Sequence, residues 1–347
     1  MCNDVTLWLD ILDKTKALIL TANCPDVTWD DAARLAADLD AMEKMLSPNR
    51  SFSLAFSGMT NVGKSTLLNA LLGDSVAPTK NCPWSSTAVE YKYSSDKYEI
   101  IVPLEKFKSL HRQFDSSAEL LAELKQFAVE GSAYQTDKPL VVRLPNDLLR
   151  GDVTIVDTPG FGASDGSDDE ALHDEVLLSY IKKRAGNLRI FWIVKDNISE
   201  SSVAFFKDHL AGFCSDLIVN LTDEFDDEFK AEFERLYKPA VGHTVRFHYV
   251  DAKTAVRAEK NGDAALRKKS GIADLKSYLS YFSSPVGRTK LIEKDLGMFF
   301  QSISDYLYLT NHYSCVWRPT AWGMLSSLLC KVESPDLYSK FLELKKK

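Results

Sequence analysis

The chain has 347 residues, 45% hydrophobic and 26% charged, which is ordinary for a globular cytosolic protein with one large and one smaller domain. Its net charge of −7 argues against a general nucleic-acid binder, which needs a basic face. The six cysteines have no CxxC spacing and the N-terminus is unlike a secretory signal, which together favour a cytoplasmic protein. The sequence contains no run of about 20 apolar residues that would predict a membrane span.

Helices are predicted at both ends of the chain, with an α/β domain between them. Within residues 1–48 and from 287 onward, apolar residues recur at helical spacing. Between Phe52 and about Pro285, short apolar strands alternate with amphipathic helices, which is typical of a mostly parallel sheet covered by helices on both faces. The predicted strands are 52–57, 88–94, 98–102, 139–144, 152–156, 189–194, 216–221 and 245–250. The helical pattern continues to Lys347, so a longer parent protein is an open alternative.

The most informative segment is the glycine-rich sequence Gly58–Ser65, between the strand predicted at 52–57 and a predicted helix. Its glycines let the backbone wrap around a polyphosphate, while loop N–H groups and the helix N-terminus supply positive potential. We expect Lys64 to reach the β- and γ-phosphates and the Ser65 hydroxyl to ligate Mg²⁺. The nucleotide-binding residues predicted in this segment are Gly58, Asn61, Val62, Gly63, Lys64, Ser65 and Thr66.

A second signal is the sequence Asp157–Gly160, which follows a predicted strand. An aspartate at a strand end is well placed to hold Mg²⁺ through water, and the Gly160 N–H is predicted to touch the γ-phosphate. The glycine-rich, acidic stretch 161–170 comes next and is expected to become ordered on ligand binding. The alternative reading of Asp157–Gly160 is a simple turn.

A threonine between these two motifs is the next candidate ligand. Its hydroxyl would bind Mg²⁺ and its N–H the γ-phosphate. Thr87 is the first choice because it lies just before a predicted strand, and Thr79 is the second. An unrelated polar loop is the alternative, since a single threonine is weak evidence.

Two more strand ends carry residues suited to a purine. After the strand at 216–221, Asp223 can accept hydrogen bonds from guanine N1–H and the 2-amino group, which adenine lacks. After the strand at 245–250, the Ala252 N–H can meet guanine O6. The base-binding residues predicted here are Asn220, Asp223, Ala252 and Lys253.

Together, these motifs resemble the five G-motifs of P-loop GTPases, and the finer pattern resembles the dynamin-like large GTPases, including the bacterial ones. The finer likeness is carried by the sequence 71–79 with 86–89, which resembles that family's first switch and is called the first-switch segment below. The sequence 138–145, just before the strand that leads into Asp157–Gly160, also resembles the family, and so does the long insertion between Thr87 and Asp157.

The resemblance covers residues 50–285 well and implies three domains: an N-terminal helical segment at 1–50, a GTPase domain at 51–286, and a C-terminal helical segment at 287–347. Family members fold the two helical segments into a bundle beside the GTPase domain. The family's catalytic positions correspond here to Lys64, Ser65, Thr87, Asn61 and Gly160, and its Mg²⁺ ligands to Ser65, Thr87 and, through water, Asp157.

Three positions depart from the simplest GTPase pattern. Leu221 replaces the lysine that lies over the base, and Phe161 replaces the glutamine that orients water. Asn61 stands where dynamins usually have serine, and it resembles the potassium-activated GTPases. Its amide oxygen would hold K⁺ against the phosphates and stabilise charge as an arginine finger does. The alternative is an asparagine that stabilises the loop turn.

Three functions are compatible with these residues. The first is a GTP-binding and GTP-hydrolysing dynamin-like protein, cytoplasmic or peripheral to a membrane lipid surface. It would pair as a homodimer through its GTPase domain and move the helical bundle. The second is a potassium-activated regulatory GTPase of the ribosome-assembly or RNA-modification kind, against which the acidic net charge argues. The third is a nucleotide-binding scaffold with little hydrolysis, suggested by Phe161 and Leu221.

Overall fold

The structure, a computed structural model, falls into two compact units. The first comprises Met1–Arg50, Gly242–Thr244 and Ser284–Lys347, and the second comprises Ser51–Val241 and Val245–Ser283. The second unit contains the predicted nucleotide-binding motifs. The described residues are 9, 12–13, 39–40, 42–43, 46, 51–59, 61–78, 88–103, 109–129, 138–160, 177–181, 188–210, 214–221, 226–241 and 245–292.

Nine strands within the described part of the second unit form one sheet. They are β1 (Phe52–Gly58), β2 (Val89–Tyr93), β3 (Tyr98–Pro103), β4 (Ser109–Phe114), β5 (Leu140–Leu144), β6 (Val153–Asp157), β7 (Leu188–Val194), β8 (Cys214–Asn220) and β9 (Arg246–Val250). Their order across the sheet is β4-β3-β5-β2-β6-β1-β7-β8-β9.

The sheet is mostly parallel, as the alternation of strands and helices predicts. Neighbours from β6 through β1, β7 and β8 to β9 are parallel, and so are β2 and β5. The β2–β6, β3–β4 and β3–β5 pairs are antiparallel. Strand β4 was not predicted, because this edge strand is polar and mostly exposed and has no apolar run.

Seven α-helices are found among the described residues of the second unit. They are α1 (Lys64–Leu72), α2 (Ser117–Val129), α3 (Glu200–Phe205), α4 (Asp227–Val241), α5 (Ala252–Asn261), α6 (Ala264–Lys269) and α7 (Ile272–Ser280). Shorter helical turns occupy Asp147–Leu149, Phe206–Leu210 and Tyr281–Ser283, and residues 177–181 are also helical. The described residues of 1–48 are helical, as their spacing predicts, and so are 285–292 of the first unit.

Side-chain caps set where several helices begin. Asp251 accepts a hydrogen bond from the Thr254 N–H at 2.9 Å, which fixes the start of α5 directly after β9. Ser199 caps α3 in the same way. Helix α1 instead follows Gly63, whose φ of 92° bends the chain sharply out of the preceding loop. The first turn of α1 therefore lies against the loop that follows β1.

The core surrounds the central strands. Every residue of β1 and β7 is buried, which is the near-continuous apolar pattern of parallel strands covered on both faces. Phe56 stacks on Phe191 at 5.1 Å, and Trp192 stacks on Phe206 at 4.7 Å. These strands are thus held rigidly, and the carboxyl ends of β1, β6, β8 and β9 come together at one edge of the sheet. In open α/β sheets, this is the edge where ligands bind.

Candidate nucleotide-binding site

Lys64 lies at the junction of the glycine-rich loop and α1. Its Nζ donates hydrogen bonds to the backbone oxygens of Gly58 and Met59, both at 3.0 Å. Burial lowers the pKa of Lys64 to about 8, although the nearby Asp157 carboxylate acts in the opposite direction. The ammonium is thus folded over the loop with neutral carbonyl partners, so a phosphate would be a stronger partner for it.

The loop fits between its neighbours only because two of its residues are glycines. A Cβ on Gly58 would lie 2.4 Å from the backbone oxygen of Ile193 on β7. A Cβ on Gly63 would lie 2.4 Å from Nδ2 of Asn220, at a backbone φ of 92° that side chains rarely adopt. The glycines therefore bring the loop close to both β7 and the end of β8.

Asn61 lies exposed at the tip of this loop with a left-handed backbone, φ 64°. Asparagine adopts this conformation more readily than most residues because its short amide tolerates it. The backbone alone is therefore a sufficient reason for asparagine here. The role of Asn61 as a ligand for a monovalent cation stays a prediction.

Asp157 ends β6 directly beside the first turn of α1. The Ser65 hydroxyl donates to Asp157 Oδ2 at 3.5 Å, so the two predicted Mg²⁺ ligands face each other. Burial raises the pKa of Asp157 to about 6, while Lys64 and Ser65 act to lower it. A hydroxyl and a carboxylate are hard oxygen ligands, and a carboxylate held with a raised pKa would gain from a divalent cation. The donor set therefore fits Mg²⁺.

Thr158 fixes the chain just after Asp157. Its hydroxyl donates to the Phe56 backbone oxygen at 3.0 Å, which ties the end of β6 to β1. Gly160, predicted to meet the γ-phosphate, is buried two residues later. The start of the 157–160 loop is thus held against β1, the strand that precedes the glycine-rich loop.

Asn220 joins the glycine-rich loop to the segments predicted to hold the base. Its Nδ2 donates to the Val62 backbone oxygen at 2.7 Å, and its Oδ1 accepts from the Ala252 N–H at 3.1 Å. Asn220, at the end of β8, therefore links the glycine-rich loop to the start of α5 through two hydrogen bonds. The Ala252 N–H, predicted to meet guanine O6, donates to Asn220 in this structure, and Lys253 is exposed in the first turn of α5.

Leu221 lies at the start of the loop after β8. Its N–H donates to the Val250 backbone oxygen at 2.9 Å, and its half-buried side chain packs against the apolar cluster around Trp192. The position therefore contributes to the core of the domain. Of the other predicted residues, Thr66 is half-buried in α1, whereas Thr87, its alternative Thr79, Asp223, Phe161 and the acidic stretch lie outside the described residues.

Sequence reasoning missed one residue that organises this edge. Asn69 of α1 accepts from the N–H groups of Val76 and Ala77 at 2.9 and 2.7 Å, and it donates to the Ala77 oxygen at 2.7 Å. These bonds shape the start of the first-switch segment. The signal in the sequence was a single polar residue within the apolar run 67–72, since a buried amide needs backbone partners.

The strand, glycine-rich loop and helix, with a lysine and a serine at the helix start and an aspartate on the adjacent strand, define the class of P-loop nucleotide-binding domains. Residues 54–219 match the model of the Dynamin family. This match confirms the resemblance to the dynamin-like large GTPases that the motifs indicate.

Two curated relatives were compared with the chain. Dynamin-like protein 2 of Campylobacter jejuni subsp. jejuni serotype O:23/36 (strain 81-176) is 22% identical over 282 residues, covering 79% of this chain and 42% of that protein. The probable GTP-binding protein EngB of Petrotoga mobilis (strain DSM 10674 / SJ95) is 33% identical over 82 residues, covering 23% of this chain and 41% of that protein. The chain thus spans less than half the length of either relative.

Solved structures of an oligomerised bacterial dynamin pair, described as a mechanism for long-range sensing and tethering of membranes, are also similar. Two such structures each have 17% sequence identity and a TM-score of 0.48. One comparison covers 100% of this chain and 52% of the other, and the second covers 90% and 58%. In this chain, no helix within the described ranges is long and apolar enough to cross a bilayer.

Proposed function

We propose that this protein binds GTP with Mg²⁺ and hydrolyses it to GDP and phosphate. The observation that carries the proposal is the meeting of Lys64, Ser65 and Asp157 at the carboxyl ends of β1 and β6. Lys64 is held by neutral oxygens at 3.0 Å, and Asp157 has a raised pKa. Both groups are half-buried charges whose best partners, a phosphate and a divalent cation, arrive together with a Mg²⁺-bound nucleotide.

The residues divide the work along the nucleotide. Lys64 and the loop N–H groups hold the phosphates, and Ser65, Thr87 and a water on Asp157 hold Mg²⁺. The bound Mg²⁺ supplies charge neutralisation between the phosphate oxygens. The Gly160 N–H holds the γ-phosphate, so that its presence or loss is transmitted to the chain that follows.

Guanine is selected at the ends of β8 and β9. Asp223 accepts from the guanine N1–H and the 2-amino group, which adenine lacks. Asn220 supports this side of the site through its bonds to Val62 and Ala252. Lys253 lies next to Ala252 and is available to the base.

Beyond binding and hydrolysis, we propose the behaviour of a dynamin-like protein. GTP orders the first-switch segment and the 157–160 loop, which promotes pairing of two GTPase domains across the nucleotide face. Hydrolysis then moves the helical bundle, and the pair acts on a membrane surface. The match of residues 54–219 to the Dynamin family model supports this part of the proposal.

Single-turnover hydrolysis tests the enzymatic claim. Purified protein in excess over radiolabelled GTP should release phosphate in the presence of Mg²⁺, and labelled ATP should stay intact. Binding of GTP without phosphate release would favour the scaffold function suggested by Phe161 and Leu221. Absence of binding to GTP and GDP would overturn the proposal as a whole.

The pairing claim is tested by measuring the hydrolysis rate against protein concentration, with and without liposomes. Pairing predicts a specific activity that rises with concentration, because only the pair is fully active. Acceleration by liposomes would support membrane action. A specific activity that stays constant under both conditions would contradict catalysis by pairing.

A further inference from the structure

A buried hydrogen bond joins β2 to the helical segment 177–181. The Tyr180 hydroxyl donates to Glu90 Oε1 at 3.1 Å, and the two residues are 6% and 1% exposed. Lys92 pairs with the other carboxylate oxygen of Glu90 at 2.8 Å. A carboxylate this deeply buried needs such partners, so the bond to Tyr180 holds both side chains in place.

One of the two joined elements continues from the first-switch segment, and the other follows the 157–160 loop later in the chain. Strand β2 continues directly from the first-switch segment, and Val89 pairs with Asp157 across the sheet. Residues 177–181 lie beyond the 157–160 loop and the acidic stretch that follows it in the chain. The Tyr180–Glu90 bond thus connects β2, which follows the first-switch segment, with the helical segment 177–181, which follows the 157–160 loop.

Apolar packing also holds 177–181 on this face. Leu177 and Ile181 are buried in one cluster with Ala88 and Val156. Apolar contacts have little directionality and tolerate small shifts, whereas a hydrogen bond to a charged oxygen fixes distance and angle. The hydrogen bond of Tyr180 therefore fixes the position of 177–181 relative to β2.

We infer that Tyr180 is a positioning residue which, through Glu90, couples the first-switch segment to the chain that follows the 157–160 loop. A nucleotide that moves β2 then moves 177–181 with it. This inference rests on the proposed function, since it requires that GTP and GDP act differently on the two segments. Tyr180 is not among the residues proposed to hold the nucleotide or Mg²⁺.

Hydrogen–deuterium exchange measures the coupling directly. In the wild-type protein, replacing Mg²⁺·GDP by Mg²⁺·GTPγS should change the exchange rates of 89–93 and 177–181 together, each by about threefold or more. In Tyr180→Phe, the change at 89–93 should persist and the change at 177–181 should fall below about half its wild-type size. GTP hydrolysis should fall about tenfold, the loss expected for a hydrogen bond to a charged group.

Two further variants separate positioning from general damage. Glu90→Gln keeps an oxygen that accepts from Tyr180, so the exchange response at 177–181 should stay close to that of the wild type. Tyr278→Phe is the matched control, because it removes another buried tyrosine hydroxyl, one that accepts from Arg189 at 3.1 Å at the opposite end of the strands. Tyr278→Phe should leave the nucleotide response of both segments unchanged.

Two results would overturn the inference. One is a Tyr180→Phe protein whose segment 177–181 still responds to GTPγS as the wild type does. The other is a wild-type protein that binds GTPγS but shows no change at 177–181, a result that needs no variant to fold. Failure of the wild-type protein to bind either nucleotide would instead contradict the proposed function, which calorimetry detects separately.

Discussion

Buried and half-buried charges lie at both ends of the central strands, and they are balanced differently at the two ends. At the amino ends, Asp216 of β8 accepts from Arg189 Nε at 2.7 Å and shares a hydrogen bond of 2.9 Å with His248. Burial alone would raise the pKa of Asp216, but Arg189, His248 and Arg246 hold it well below its ordinary value. At the carboxyl ends, Lys64 and Asp157 have their pKa values moved toward neutrality, to about 8 and about 6.

The difference distinguishes a structural end of the strands from the end that we propose binds the ligand. A carboxylate surrounded by guanidinium groups is already balanced and gains nothing from a further charge. A lysine that donates to carbonyls, beside an aspartate with a raised pKa, is only partly balanced within the protein. Strongly perturbed groups of this kind cluster at functional sites. This contrast supports the proposal that the nucleotide binds at the carboxyl ends, whereas the charges at the amino ends hold the strands together.

The largest effect is expected from Asp216→Asn. Removing this charge leaves Arg189 and Arg246 buried without their carboxylate, which should lower the free energy of unfolding by about 3–5 kcal/mol. Urea unfolding followed by fluorescence measures this loss. Because the site lies at the other end of the strands, the affinity of the folded variant for Mg²⁺·GTP should stay within about twofold. A variant as stable as the wild type would contradict the structural role of the amino ends.

Lys64→Met should have the next largest effect. It removes the cation proposed to hold the phosphates and should weaken Mg²⁺·GTP binding by about 100-fold while the fold persists. Fluorescent-nucleotide titration measures the affinity. Lys230→Met is the matched control, because Lys230 forms a surface pair with Asp227 at 2.9 Å on α4 and should not affect binding. Equal affinities in the two variants would remove Lys64 from the site.

Asp157→Asn should stabilise the nucleotide-free protein, the opposite of Asp216→Asn. The folded pKa of Asp157, about 6, exceeds its ordinary value of 3.8, so the folded state binds more protons than the unfolded state between about pH 4 and 6. Wild-type stability therefore falls as pH rises through this window, and the variant should lack that loss. Above pH 7, the gain should be about 3 kcal/mol. The same variant should bind Mg²⁺·GTP more weakly.

Thermal melts between pH 4 and 8, without nucleotide, check the prediction for Asp157. The difference in melting temperature between variant and wild type should grow from pH 4 to 6 and then level off. Ser65→Ala provides a control that keeps the carboxylate while removing its hydroxyl partner. A wild type and an Asp157→Asn variant with parallel pH profiles would mean that this carboxylate is not held at a raised pKa.

The smallest effect is expected at Asn61, where the loop geometry and cation binding can be separated. Glycine tolerates the φ of 64° but has no amide oxygen, so Asn61→Gly keeps the turn and removes the proposed cation ligand. Hydrolysis in K⁺ should exceed that in Na⁺ by about threefold or more in the wild type, and by less in the variant. Equal stimulation by K⁺ in both proteins would leave Asn61 with a structural role only.

The sequence predicted those parts of the fold that are set by local pattern. Buried strands such as β1 and β7 are runs of apolar residues, and the glycine-rich loop carries its own signature, so both could be identified. The edge strand β4 could not, because its exposed faces remove the apolar pattern. Strand order and the antiparallel side of the sheet depend on contacts distant in the sequence.

The candidate site was predicted in a similarly partial way. Their motifs predicted that Lys64, Ser65 and Asp157 lie together. The hydrogen bond from Asn220 to the glycine-rich loop could not be predicted without knowing that β8 ends beside that loop. Asp216 and His248 looked like ordinary members of their strands. Only the adjacency of β8 and β9 shows that they share a hydrogen bond. Pairings between strands therefore separate what the sequence predicts from what the structure adds.

The central claim is that the carboxyl ends of the strands form a guanine-nucleotide site that the protein's own charges leave incompletely balanced. Isothermal calorimetry of the full chain with Mg²⁺·GTP, Mg²⁺·GDP and Mg²⁺·ATP tests it most directly. We expect saturable heat with one site per chain for both guanine nucleotides and none for ATP. Folded protein that gives no heat with either guanine nucleotide, or that binds ATP equally well, would contradict it.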